Sequence, residues 1–261
     1  MWDVETFRVV IFVVAGLAIG SFLTVVTYRL PRKQSVVAPR SACPRCGEQI
    51  RPRDNVPVMS YVLLRGRCRH CGSRISPLYP LLEASTAGLF AGAALRFDRT
   101  LVAAMVAVFL GVVLAAAVID AGHRIIPNRL VYPALVVFAL VVVAGWAAGE
   151  GIHLTGAVAG FLAFGGGLFV IAIVSPRGMG MGDVKLAALI GLVLGSIGMR
   201  YVAVAAGAAI LAGGLGGIAL MAAGKRGRKQ TIPFGPYLAA GAAISAFAAP
   251  QIAQAYLHLL S

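Results

Sequence analysis

Two aspartates at the ends of apolar runs could do acid–base chemistry as a pair. Asp183 follows Gly180-Met181-Gly182 and opens the run Val184 to Met199. Asp120 closes an earlier run and precedes Ala121-Gly122-His123-Arg124-Ile125-Ile126-Pro127-Asn128. A carboxylate at the mouth of a membrane helix is costly, so two at matching helix ends suggest a dyad. Neighbouring carboxylates do not ionise together easily and share one proton. The charged one can take a proton from water while the neutral one donates to a carbonyl oxygen. That sequence hydrolyses a peptide without a covalent enzyme intermediate. Gly180 and Gly182 let backbone, or a substrate strand, come close to Asp183. Taken singly, either aspartate reads as well as a helix cap or an interfacial charge.

A second chemistry-bearing cluster is made of cysteines. All four lie between positions 43 and 71, as Cys43-Pro44-Arg45-Cys46-Gly47 and Cys68-Arg69-His70-Cys71-Gly72. Each Cys-x-x-Cys turn lets two thiolates grip one ion, and the following glycine permits the tight knuckle. Four thiolates complete a closed tetrahedral site of the structural zinc type. A redox pair would need a single Cys-x-x-Cys beside a βαβ pattern, and neither condition holds. His70 reads as a solvated neighbour of the site.

The elements that must position these residues are membrane helices. The chain is 59% hydrophobic and 12% charged, about half the charge of a soluble domain. The expected fold is an all-α polytopic membrane protein of about eight transmembrane helices. Spans are expected at 7–28, 78–95, 101–119, 130–148, 154–174, 184–199, 201–222 and 236–258. The division expected is a first helix over 1–28, a zinc-binding loop domain over 29–77 and a seven-helix core over 78–261. The loop carries eleven of the 23 Lys and Arg residues, which places it in the cytoplasm. The N-terminus is then outside, and nineteen of the 23 basic residues fall in segments assigned inside. The formal net charge of +14 therefore reflects topology and not nucleic-acid binding, since no basic patch is interleaved with stacking aromatics. The run 184–199 gives only about 24 Å of helix, so it should be short or lie among protein neighbours.

Weaker signals remain. Glu83, inside the second span, is an intramembrane acid and so a functional candidate; alternatively it pairs with a loop arginine near the interface. His123 and Arg124 read as interface residues. Gly16 and Gly20, four apart, make a close-packing face for another helix.

These motifs, in this order, resemble the type IV prepilin peptidase family. The resemblance runs from Gly20-Ser21-Phe22-Leu23-Thr24-Val25-Val26 and Arg29-Leu30-Pro31 through both cysteine pairs. It continues through Asn55-Val56-Pro57, Leu64-Arg65-Gly66, Tyr79-Pro80 with Glu83, and Asp120 with Ile126-Pro127-Asn128. It ends with Gly180-Met181-Gly182-Asp183-Val184-Lys185-Leu186 and Ile232-Pro233-Phe234-Gly235-Pro236. Thr24 stands where many members carry asparagine. The resemblance implies an aspartic endopeptidase that cuts the leader of prepilins or pseudopilins at the cytoplasmic face of the bacterial inner membrane. It implies Asp120 and Asp183 as catalytic residues, with Gly180, Gly182, Lys185 and Glu83 supporting. It also implies N-methylation of the new terminus with S-adenosylmethionine, an activity associated with the cysteine loop; no glycine-rich nucleotide turn marks a site for that cofactor. Membrane lipids are the other expected partners, because the basic loop suits anionic headgroups. Two rivals are a transporter whose acids relay protons and a non-catalytic assembly protein that binds pilins.

Overall fold

The computed structural model describes residues 3–175, 179–222 and 233–260, excepting the side chains of 220–222 and 259–260. Ile232 of the last motif, and Arg177, Lys225, Arg226, Arg228 and Lys229 of the nineteen basic residues assigned inside, lie outside the described residues. The described chain is helical, and its contacts divide it into two compact units, Met1–Asp98 and Arg99–Ser261.

In the first unit α1 (Val4–Arg29) and α3 (Leu78–Arg96) pack together. Asp3 starts α1 by accepting the Thr6 N–H at 2.7 Å, satisfying one of the free donors of the first turn. Arg8 at this end donates to the carbonyls of Ala94 and Asp98, which end α3, so the two helices run antiparallel. The Gly16/Gly20 expectation is met here. A Cβ on Gly16 would lie 2.8 Å from Ala87 Cα, and one on Gly20 would lie 2.8 Å from Glu83 Cα. Small residues let the two backbones approach where lipid offers no hydrophobic drive for association. Between the helices, residues 30–77 form irregular chain with a 3-10 turn, Pro52–Asp54, and one short α-helix, α2 (Met59–Leu63).

The second unit is built around α8 (Met181–Ile197). It packs against α4 (Thr100–His123), α5 (Asn128–Ala147), α6 (Leu154–Gly160), α7 (Gly167–Val174), α9 (Met199–Ala222) and α10 (Gly235–Leu260). A widened π-helical turn, Phe161–Gly166, joins α6 to α7 and also touches α8. Leu186, Leu189, Ile190, Val193 and Leu194 of α8 have no exposed surface. A helix apolar all round belongs inside, and neighbours rather than lipid fill its surroundings. Gly156 and Gly160 of α6 face Gly191 and Gly195 of α8. A Cβ at Gly160 would run into the Gly191 carbonyl, and one at Gly195 into the Gly156 carbonyl. This reciprocal pair of small-residue stripes sets how closely α6 and α8 approach.

Among the described residues seven helical stretches are long and apolar enough to cross a membrane: α1, α3, α4, α5, α6 through α7, α9 and α10. The eighth expected span is α8. Its 17 residues give about 26 Å of helix, short of a hydrocarbon core of about 30 Å. Its burial explains how so short a segment sits there.

Candidate active site

The active-site candidates come from three helix ends of the second unit. α4 ends one turn after Asp120: the Arg124 N–H reaches the Asp120 carbonyl at 2.8 Å, and Arg124 takes left-handed backbone angles that stop the helix. The chain then runs through Ile125 and Ile126 to Pro127, which precedes α5. Asp183 is the third residue of α8. Its carboxylate reaches back to accept the Gly180 N–H at 3.2 Å, the reciprocal half of a capping box. One oxygen of Asp120 accepts the N–H of Gly235, the first residue of α10, at 2.9 Å. Each aspartate therefore has one oxygen tied to a backbone amide at the start of a helix.

Asp120 is buried and Asp183 half-buried. Both line one cavity of about 260 Å³, with Arg124, Ile125, Ile126, Asn128, Gly180 and Gly182. A water molecule occupies about 30 Å³ of liquid, so a cavity of about 260 Å³ has room for several. The two carboxylates thus open onto one cavity. Gly182 makes the cavity narrow: a Cβ there would lie 3.0 Å from Ile126 Cβ. Lys185, half a turn beyond Asp183, donates to Asn128 Oδ1 at 3.0 Å and lies 4.8 Å from the centre of the Tyr132 ring. It thus ties α8 to the start of α5.

Glu83 has a different setting. It lies buried in the first unit, and its carboxylate accepts the Val58 N–H at 2.7 Å. Its described hydrogen-bond partner is thus a backbone amide, not an arginine. Val58 has φ of 60°, an unfavourable angle for a β-branched residue, and the carboxylate holds that peptide in place. His123 ends α4 exposed and does not line the cavity, whereas Arg124 does.

The cysteines form a candidate metal centre. All four Sγ atoms lie within 4.8 Å of one another, and Cys43 Sγ to Cys71 Sγ is 3.9 Å. Zinc–sulfur bonds of about 2.3 Å in a tetrahedron give sulfur–sulfur edges of about 3.8 Å, so the set fits zinc. The two knuckles are built alike. Cys43 N–H bonds the Glu48 carbonyl and Cys68 N–H the Ser73 carbonyl. Gly47 and Gly72, at φ of 72° and 68°, turn each knuckle through backbone angles that suit glycine. The N–H groups of Cys46 and Arg45 pull the Cys43 thiol down to about 6, favouring the thiolate a metal needs. Arg69 grips both oxygens of Asp54, at 2.6 to 3.1 Å, and fastens the second knuckle to the chain before α2. His70 is exposed, 3.8 Å from the Glu48 carboxylate, and is not among the four clustered ligands.

Comparison with known proteins decides the family. Residues 14–97 match the Bacterial Peptidase A24 N-terminal domain, and residues 107–218 match the Type IV leader peptidase family. A Prepilin leader peptidase/N-methyltransferase of Bacillus subtilis is 37% identical, over 95% of this chain and 98% of its own length. The chain belongs to the type IV leader peptidase family. A Prepilin leader peptidase/N-methyltransferase of Pseudomonas aeruginosa is 34% identical over 94% of this chain and 92% of its own. A protein of that name from Myxococcus xanthus is 43% identical over 72% of this chain. No solved structure gives a significant match.

Because the relatives' name includes an N-methyltransferase, the cavities bear on a methyl donor as well. A cavity of about 530 Å³ in the first unit is lined by Tyr61, Arg65, Gly66, Arg67, Arg74, Ile75, Ser76 and Pro77. Three of these residues are arginines and none is an acid. Arginines suit the carboxylate of S-adenosylmethionine, but the lining offers no anionic partner for its ammonium or ribose hydroxyls, so it fits only one end of that donor. Two residues not assigned to this candidate site from the sequence are Arg124, which lines the cavity, and Gly235, which bonds Asp120. The contribution of Gly235 is a backbone amide, which has no side-chain signature; its place in Ile232-Pro233-Phe234-Gly235-Pro236 was the available signal.

Proposed function

We propose that this leader peptidase is an aspartic endopeptidase that cleaves the leader of type IV prepilins or pseudopilins. Its place is the bacterial inner membrane, with the N-terminus outside and the cysteine loop in the cytoplasm. The observation that carries the reading is that Asp120 and Asp183 line one cavity, each with one oxygen tied to a helix-start amide. In the mechanism the pair shares one proton. The ionised carboxylate takes a proton from a water held between the acids. The resulting hydroxide attacks the scissile carbonyl carbon, and the protonated carboxyl gives its proton to the carbonyl oxygen. Collapse of the tetrahedral diol breaks the C–N bond as a proton passes to the leaving amine. The pair, not either residue alone, owns the proton at each stage.

The four cysteines would hold zinc as a structural ion that pins both knuckles, leaving hydrolysis to the aspartates. The names of the relatives support N-methylation of the new terminus as a second activity of the chain. The transporter reading is weaker because both acids sit at helix ends, whereas transport sites favour broken helices near the midplane. Purified protein mixed with a prepilin is the test. Asp120→Asn and Asp183→Asn should each abolish cleavage while the fold survives by melting temperature; cleavage that persists in either variant sinks the dyad. Mass spectrometry of the processed N-terminus, with and without methyl donor, tests the second activity. A product that stays unmethylated with donor present would remove it.

A further inference from the structure

The start of α10 contributes more to the site than its length of apolar sequence suggests. Gly235 donates its N–H to Asp120 across 115 residues of chain, in a buried hydrogen bond. The approach is so close that only glycine fits. A Cβ at Gly235 would lie 2.8 Å from Asp120 Oδ2, 3.0 Å from its Cβ and 3.2 Å from its Cγ. The atoms met first belong to a short, buried side chain, so a methyl group could be admitted only by moving the carboxylate.

The segment carrying this amide is itself anchored. The Phe234 ring covers Gly213 of α9, where a Cβ would lie 2.7 Å from it, and Tyr237 covers Gly216, where a Cβ would collide with its ring and hydroxyl. The two rings lie 6.2 Å apart. Further along, Gly241 sets α10 against Ala205 and Ala209 of α9. The N–H is therefore held by helix packing and does not depend on a mobile side chain.

We propose that Gly235 is a positioning residue for the peptidase reaction: its amide fixes one oxygen of Asp120 and so turns the other toward the cavity shared with Asp183. The proposal rests on the dyad reading and extends it. Gly180 does the same for Asp183 from within one helix turn, whereas Asp120 lies in the last turn of α4, where the unpaired backbone groups are carbonyls and not amides. The amide must come from another helix. An oxygen that accepts an N–H keeps a lone pair there, so the shared proton rides on the other oxygen, where the reacting water and carbonyl are.

The test separates position from packing. Gly235→Ala should lower kcat by about 100-fold, the loss expected of a catalytic group displaced by about 1 Å, with KM changed less than about twofold. Replacing the Gly235 residue by glycolic acid, which swaps the amide for an ester, removes the donor without adding an atom near Asp120. It should lower kcat by about tenfold or more at an unchanged melting temperature. The infrared carboxyl band of Asp120, identified by its loss in Asp120→Asn, should move in both variants. It should stay in place in Gly207→Ala on α9, where an added Cβ meets no atom within 4 Å. Wild-type kcat and an unmoved band in the ester protein would overturn the proposal. If Asp120→Asn itself still cleaved prepilin, the dyad reading would fail instead, and the band would still report whether the hydrogen bond exists.

Discussion

Gly165→Ala tests whether glycine packing around α8 sets the position of Asp183. Gly165 lies in the π-helical turn, where its missing Cβ would be 2.6 Å from Ala188 Cβ and 2.8 Å from Ala188 Cα. Ordinary contact begins at 3.4 Å, so the two chains must part by about 0.8 Å, and neither alanine has a rotamer to relieve the overlap. Overpacking of this kind costs about 1–3 kcal/mol, offset by up to about 1 kcal/mol from the better helix propensity of alanine. A net loss of about 1–2 kcal/mol lowers the melting temperature of a chain this size by about 2–8 °C. Ala188 is five residues beyond Asp183, so roughly half the displacement reaching the carboxylate would lower kcat by about tenfold. Initial rates on a prepilin and thermal melting, both in the same detergent, read the two effects. Gly166→Ala is the control, because no atom lies within 4 Å of its added Cβ. If Gly165→Ala matches Gly166→Ala in both rate and melting, the packing argument for α8 is wrong.

Three further outcomes follow from the geometry. Lys185→Gln should weaken the tie between α8 and Asn128 by about 1 kcal/mol and lower kcat severalfold, with Asn128→Ala no worse in combination than alone; additive losses would show that the two do not act as a pair. Elemental analysis should find one zinc per chain, lost together with protease resistance across residues 41–75 when any two cysteines become serine. Resistance without metal would mean the knuckles close by themselves. Arg69 holds Asp54 below its ordinary carboxylate range by a side-chain hydrogen bond. A depressed carboxylate adds stability above its unfolded value of 3.8 and loses it as the pH falls through the lower folded value. Arg69→Gln should therefore weaken the cysteine loop equally from about pH 5 to about pH 8. A deficit in chelator resistance that grew over that range would contradict the assignment.

The helices were legible because their signal is local. Length and apolar composition locate α1, α3 to α7, α9 and α10 within a few residues, and charge marks the polar loop. The two Cys-x-x-Cys pairs are also local, each knuckle being closed by a bond across five residues, Cys43 N–H to the Glu48 carbonyl and Cys68 N–H to the Ser73 carbonyl. Gly16 and Gly20 could be read as a packing face because their spacing repeats on one helix side. The partners could not be read. Glu83 was open to pairing with an arginine, and it instead accepts the Val58 amide, which no side-chain pattern announces.

Sequence by itself determined an all-helical membrane chain, the zinc-type cysteine set and two aspartates of the right chemical type at helix ends. Tertiary structure decided that α8, the shortest of the long apolar segments, is buried among its neighbours. It also decided that Asp120 and Asp183 share a cavity and that the Gly235 amide bonds Asp120. The reason is physical. Helix formation and metal-ligand spacing are written over a few residues, but a site made by three helix ends depends on how closely backbones can approach. That distance is set by pairs of glycines far apart in the chain and on different helices.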